Sequence, residues 1–164
     1  MPQVNFSSLP ADAKVWVFAG DREMIGDPAR SLLAQVDDYL AQWKAHGMPL
    51  RCARDWRYDR FLAVGIDPTA EQASGCAIDD LFRHLRGIGS SVGTPLLGGG
   101  RVFYRDVQGR IQSVSRATFS ALAASGDVTT DTIIFDTSVI LADDWREQFE
   151  RRAGEMWAKD LMAI

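Results

Sequence analysis

The order of elements along the chain predicts an α+β fold: a ferredoxin-like β-α-β-β-α-β core, then a C-terminal β-α-β appendage and a tail. Three observations carry that expectation. Apolar residues recur at helical spacing in two separate stretches, 32–43 and 78–85. Between them stand two short runs rich in β-formers, about 49–56 and 60–66, joined by a tight polar turn. A further such run, "KVWVFA" at 14–19, comes before the first helix. This order gives an antiparallel sheet with two helices on one face, an architecture shared by many unrelated functions.

Residues 1–13 read as a polar N-terminal arm with two prolines, and 14–106 as the core. Asp27-Pro28 supplies a helix cap followed by proline at the first helical position. Leu32, Leu33, Val36, Tyr39, Leu40 and Trp43 then form one face, and Gly47 and Pro49 stop the helix. "FLAVGI" is apolar on both faces, as a central strand should be. Ser74 caps the second helix, whose Ile78, Leu81, Phe82 and Leu85 share a face, and Gly87 and Gly89 are expected to end it. "RVFYRD" and "RIQSVS" flank "VQG" as a hairpin. Residues 107–141 form the extension: Ser115 opens a short helix carrying Phe119 and Leu122, Gly126 closes it, and "TIIFDT" is the last strand. The tail, 142–164, places Trp145, Phe149, Ala153 and Met156 at helical spacing.

Composition narrows the function classes. The 164 residues are 46% hydrophobic and 24% charged, which suits a globular domain able to bury its own core. A net charge of -4 argues against a general nucleic-acid backbone binder. No apolar run approaches the ~20 residues of a membrane span, and the first residues lack the layout of a signal peptide. With two cysteines, Cys52 and Cys76, a reducing cytoplasm and free thiols are expected.

Several stretches together resemble a known family: "VWVFAGDR", "LAQWKAHGMPL", "RFLAVGID", "ASGCAIDDL", "VFYRD", "SVSRATFSALAASGDVTTDTIIFDT" and "AGEMWAKDL". The chain is similar, from about Lys14 to Leu161, to small bacterial proteins of Bacteroidetes and relatives that carry the loose name "ABC transporter ATPase". Its "ASGCAID" departs from the family's usual A-S-G-C-S-I-D at Ala77, and "EMWAK" stands where the family has a "SWH". What the resemblance implies is an intact fold rather than an activity. The name conflicts with the residues. A P-loop needs G-x-x-x-x-G-K-[ST], and the sequence contains no Gly-Lys pair. The glycine-rich 87–100 stretch follows a helix and precedes a strand, the reverse of a phosphate cradle. A P-loop ATPase is excluded. Separately, the strand, capped helix, turn and strand over 101–137 are similar to GYF domains, small modules that bind partner segments.

Cys76 is the leading candidate for chemistry. In the first turn of a helix capped by Ser74, the helix dipole favours its thiolate, while Asp79 and Asp80 oppose it. His84 lies about 12 Å further along the helix and cannot serve it as a base. His46, expected at the end of the first helix, could approach only through the tertiary fold. Against this stands the expectation that Cys76 is a small side chain packed where the helix meets the sheet. Cys52 reads as core. No spacing suits a metal, and no cofactor is expected. Arg54, Trp56, Arg57 and Tyr58 could stack single-stranded bases, but Asp55 and Asp59 offset their charge, and alternation sends Arg54 and Arg57 to opposite faces. Asp21, Asp67 and Asp136 sit at strand ends, where turns take aspartate. The sequence therefore predicts a non-enzymatic cytoplasmic module that binds a protein or small ligand. A Cys76-dependent enzyme or redox protein is the alternative and a single-stranded nucleic-acid binder the third. An open sheet face bearing Trp56 and Tyr58 would predict a homodimer.

Overall fold

The structure is a computed structural model that describes residues 3–68, 73–97 and 100–162. Gly98 and Gly99 of the glycine-rich stretch, and Glu71 and Gln72 before the Ser74 cap, lie outside the described residues. The fold is α+β, with antiparallel sheets. The chain packs as two compact units: 1–97 with 139–145, and 98–138 with 146–164.

In chain order the first unit contains β1 (Lys14–Gly20), α1 (Asp27–Leu40), a small hairpin of β2 (Lys44–Ala45) and β3 (Met48–Pro49), then β4 (Cys52–Arg57), β5 (Phe61–Ile66), α2 (Gly75–Ser91) and β6 (Leu96–Leu97). Its main sheet runs β4-β5-β1-β6, every neighbour antiparallel. β5 is buried at every residue, as its unbroken apolar sequence requires of a central strand. Registers of Phe18 with Leu62, Trp16 with Val64 and Cys52 with Ile66 put those side chains on one face. There they meet Leu32, Val36 and Leu40 of α1 and Leu81, Leu85 and Ile88 of α2. Arg54 ties β4 to α1 through a two-pronged bond to Asp37, at 2.9 and 3.0 Å. Trp43 Nε1 donates to the Ala77 carbonyl at 3.0 Å and joins the two helical segments.

The opposite face of this sheet is also covered. Residues 3–13 are not a free polar arm: Phe6, Leu9 and Ala13 are buried. A Cβ at Gly65 would come within 2.6 Å of Leu9 Cδ1 and 3.3 Å of Phe6 Cε2, so glycine permits that close approach. The edge of β1 left open beside β6 is completed by residues 140–142, where Val15 N donates to Ile140 O at 2.9 Å and Ala142 N to Ala13 O at 2.8 Å. Trp145, fully buried, donates from Nε1 to Asp55 at 2.8 Å, and the Arg57 guanidinium lies 4.3 Å from its ring centroid. Trp56 lies on the helix-bearing face, packed against the core, and Tyr58 in the β4–β5 turn, so the two do not share an open sheet face.

Three expected boundaries move. α1 ends at Leu40, and residues 42–49 fold back as the β2–β3 hairpin, with His46 (φ 53°) and Gly47 (φ 76°) at its tip. His46 is thus a hairpin-turn residue, not a helix terminus. α2 continues through Gly87 and Gly89 to Ser91. Gly89 stays helical because the segment after the helix packs on it: an added Cβ would lie 3.0 Å from both Leu96 N and Thr94 O. Arg101–Arg105, expected in the first sheet, pairs in the second.

That second sheet has the order β10-β9-β7-β8, formed by β7 (Arg101–Arg105), β8 (Ile111–Ser115), β9 (Ile133–Phe135) and β10 (Glu150–Arg152). α3 (Arg116–Ala124) follows β8, capped by Ser115, whose side chain accepts from Thr118 N at 3.1 Å. The β7–β8 turn is organised by Asp106, whose Oδ1 accepts from Gln108 N and Arg110 N at 2.9 Å each. α4 (Ala142–Glu147) is only six residues long. The tail is not the single helix its apolar spacing suggested. Residues 150–152 instead pair with β9, and Met156 and Ala158 bury against Phe119, Val102 and Ile134.

Candidate functional site

A cleft of about 310 Å³ opens in the first unit at the N-terminal end of β1. Alternation along β1 sends Lys14 and Trp16 to the same, helix-bearing face, and register sets Ile66 opposite Lys14. Asp67 and Pro68 follow β5, and Ala73 and the Ser74 cap precede α2. Trp16, Ile66, Ala73 and Ile78 give the cleft an apolar lining continued by Pro68. Asp12, Lys14 and Asp67 supply its charges. Ser74 fixes the entry to α2, its side chain accepting from Ala77 N at 3.1 Å.

The three charges differ in state. Asp67 is only 6% exposed. Its carboxylate takes Arg51 Nε at 2.9 Å, and its backbone N–H donates to Arg51 O at the same distance. Asp12 and Lys14 are exposed, and their side chains make no hydrogen bond or ion pair among the described residues. Among the described residues the mouth thus offers one unengaged carboxylate and one unengaged ammonium, with Asp67 matched by Arg51.

The residues singled out from the sequence lie elsewhere. Cys76 does not fill space at the helix end: its side chain is exposed in the first turn of α2, outside the cleft lining, and it is Ala77 that is buried. The reason is helical phase, since the Ser74 cap turns position 77 toward the core and position 76 away from it. His46 is exposed in the β2–β3 turn. His84 stacks on Tyr39, ring centroids 4.3 Å apart, and its Nδ1 lies 3.2 Å from the Asp80 carbonyl. Tyr39 donates its hydroxyl to Asp80 at 2.8 Å, and burial followed by that carboxylate holds the phenol well above its ordinary pKa. Cys52 is core, with its thiol 3.5 Å from Leu40 O; burial pushes it up to about 12.

The arginine–aromatic group does not form one platform. Arg54 and Trp56 face the helices, where Arg54 is held by Asp37 and Trp56 packs against the core. Arg57 is on the other face, donating to Trp145 O at 2.7 Å. Tyr58 sits in the β4–β5 turn at φ 55°. Arg54, Trp56 and Arg57 are thus engaged within the fold on two faces, while Tyr58 is exposed at the turn. Asp21 and Asp136 are structural: Asp21 O accepts from Arg60 at 2.8 Å, and Asp136 receives Ser138 N at 3.0 Å and Trp157 Nε1 at 3.3 Å.

Sequence reading missed the cleft. Its one local signal is the alternation Lys14-x-Trp16, which puts an ammonium and an aromatic ring on one face of β1; Asp12 joins them from the turn before the strand. The rest of the lining, Ile66, Asp67, Pro68, Ala73 and Ile78, comes from residues fifty or more positions further along. Among the described residues no helix is long and apolar enough to cross a membrane, and no group of three or more His, Cys, Asp and Glu is placed to hold a metal ion. Compared with protein-family models, with curated proteins and with solved structures, the chain matches none.

Proposed function

We propose that the chain is a non-enzymatic binding module that takes a small ligand in the cleft between β1 and the start of α2. The observation that carries this reading is the cleft itself, whose volume of about 310 Å³ falls at the small end of the ligand-pocket range of roughly 300–1,000 Å³. A largely apolar lining with a few placed charges is the usual composition of such sites. The strand order β4-β5-β1-β6, with α1 and α2 on one face, supports a ferredoxin-like assignment for the first unit. The exposed, unpaired thiol of Cys76 fits a reducing compartment such as the cytoplasm.

The test is a titration with indole, a neutral apolar probe, followed through the Trp16 indole N–H resonance of isotopically labelled protein. Saturable shifts at millimolar probe are expected, and they should vanish in Ile78→Trp, which fills the cleft. No shift, or an equal shift in the filled variant, would sink the reading.

A second reading, a thiol-dependent enzyme or redox protein, is favoured by one observation: Cys76 is exposed at a capped helix N-terminus. Alkylation rates measured from pH 5 to 10 decide it. A thiolate formed well below the ordinary ~8.5 promotes this reading, and ordinary titration removes it.

A further inference from the structure

We propose that the ligand of this cleft is a small amphoteric molecule with an apolar body, of the class of an apolar α-amino acid; the proposal rests on the cleft being the binding site. Charge at the mouth is the argument. Asp67 is matched by Arg51 at 2.9 Å, so the pair offers no net charge to a ligand. Asp12 and Lys14 remain, one of each sign, exposed and unengaged among the described residues. A simple anion drawn to Lys14 meets Asp12, and a simple cation drawn to Asp12 meets Lys14. A ligand carrying both an ammonium and a carboxylate satisfies both and leaves no uncompensated charge.

Spacing agrees with this. Asp12 stands in the turn that Ala13 N closes on Pro10 O at 3.0 Å, and Lys14 opens β1 two positions on; both line the cleft. Their side chains stand more than an ion-pair distance from each other, and an α-amino acid, whose two charged groups share one carbon, can sit between them. Its side chain would then lie against Trp16, Ile66 and Ile78, all lining the cleft. The cleft's volume of about 310 Å³ accommodates one such molecule.

The experiment compares L-phenylalanine with 3-phenylpropionate, which lacks the ammonium, and with phenethylamine, which lacks the carboxylate, each titrated against the Trp16 indole resonance. L-Phenylalanine is expected to bind about 5-fold or more tightly than either analogue, a gain in keeping with two partly exposed charge-assisted contacts. Lys14→Gln should bring L-phenylalanine down to the level of phenethylamine, and Asp12→Asn down to that of phenylpropionate. Both side chains are at the surface, so neither change threatens the fold. If indole binds in the cleft but L-phenylalanine gains less than 2-fold over both analogues, the amphoteric ligand is wrong and the cleft stands. If one analogue equals L-phenylalanine, the cleft reads a single charge and the proposal likewise fails. If neither indole nor any of the three moves Trp16, the cleft and the ligand class fall together.

Discussion

Cys52 and Cys76 carry the same side chain into opposite surroundings. Cys52 is enclosed between β4 and α1, and its thiol is raised to about 12 by burial. Cys76 is open to solvent. Native protein at pH 8 should therefore react with one equivalent of a thiol-specific disulfide reagent and unfolded protein with two; a Cys76→Ser variant should give none until it unfolds. A second residue-scale expectation concerns Asp37. The hydrogen bonds from Arg54, then from Gln3, hold its carboxyl below the usual range despite some burial. A carboxyl lowered in the folded state stabilises the fold above its unfolded pKa of about 3.9 and loses that contribution as pH falls through the folded value. Urea midpoints of the wild type should consequently drop more between pH 5 and 2.5 than those of Asp37→Asn. Asp37 is over a third exposed, so solvent screens the pair and the difference will be small.

At the scale of elements, the segments whose signals are local are the ones that could be read from the sequence. Ser74 and Ser115 cap α2 and α3 as their positions suggest, and the "DVQG" turn closes its hairpin through Asp106. What escaped depends on distant chain. Gly89 reads as a helix stop, yet α2 passes through it because residues 94–96 need the space a side chain would fill. Glycine-to-alanine inside a helix ordinarily gains about 1 kcal/mol. Here the new methyl would press on backbone atoms at 3.0 Å, and overpacking costs about 1–3 kcal/mol. Gly89→Ala is expected to lower stability, measured by chemical denaturation, whereas Gly87→Ala, with nothing within 4 Å, should raise it. The candidate site shared this limit: Lys14 and Trp16 are neighbours in sequence, but Ile66, Pro68, Ala73 and Ile78 join them only through the β1–β5 register and the α2 entry. The same holds for β10, whose arginines interrupt an apolar helical pattern and whose strand character comes from pairing with β9.

At the scale of the whole molecule, the chain crosses between its two units more than once. Residues 139–145 belong with the first unit although 98–138 and 146–164 make up the second. Trp145 is the anchor of that return, fully buried with its indole bound to Asp55 and its ring beneath Arg57. Trp145→Ala should cost about 3–5 kcal/mol, as large aromatic truncations in a core do. The Trp16 resonance would report the loss of the first unit directly. A retained denaturation midpoint would mean that the return segment adds nothing to the first sheet.

The interleaving also has a bearing on synthesis. At about 5–20 residues per second, the ribosome needs several seconds to go from the end of β6 to Trp145. Through that interval the nascent first domain exposes a flank of β1 and the underside of β4, and its growing neighbour is already emerging. The first unit can therefore be completed only after most of the second has been synthesised.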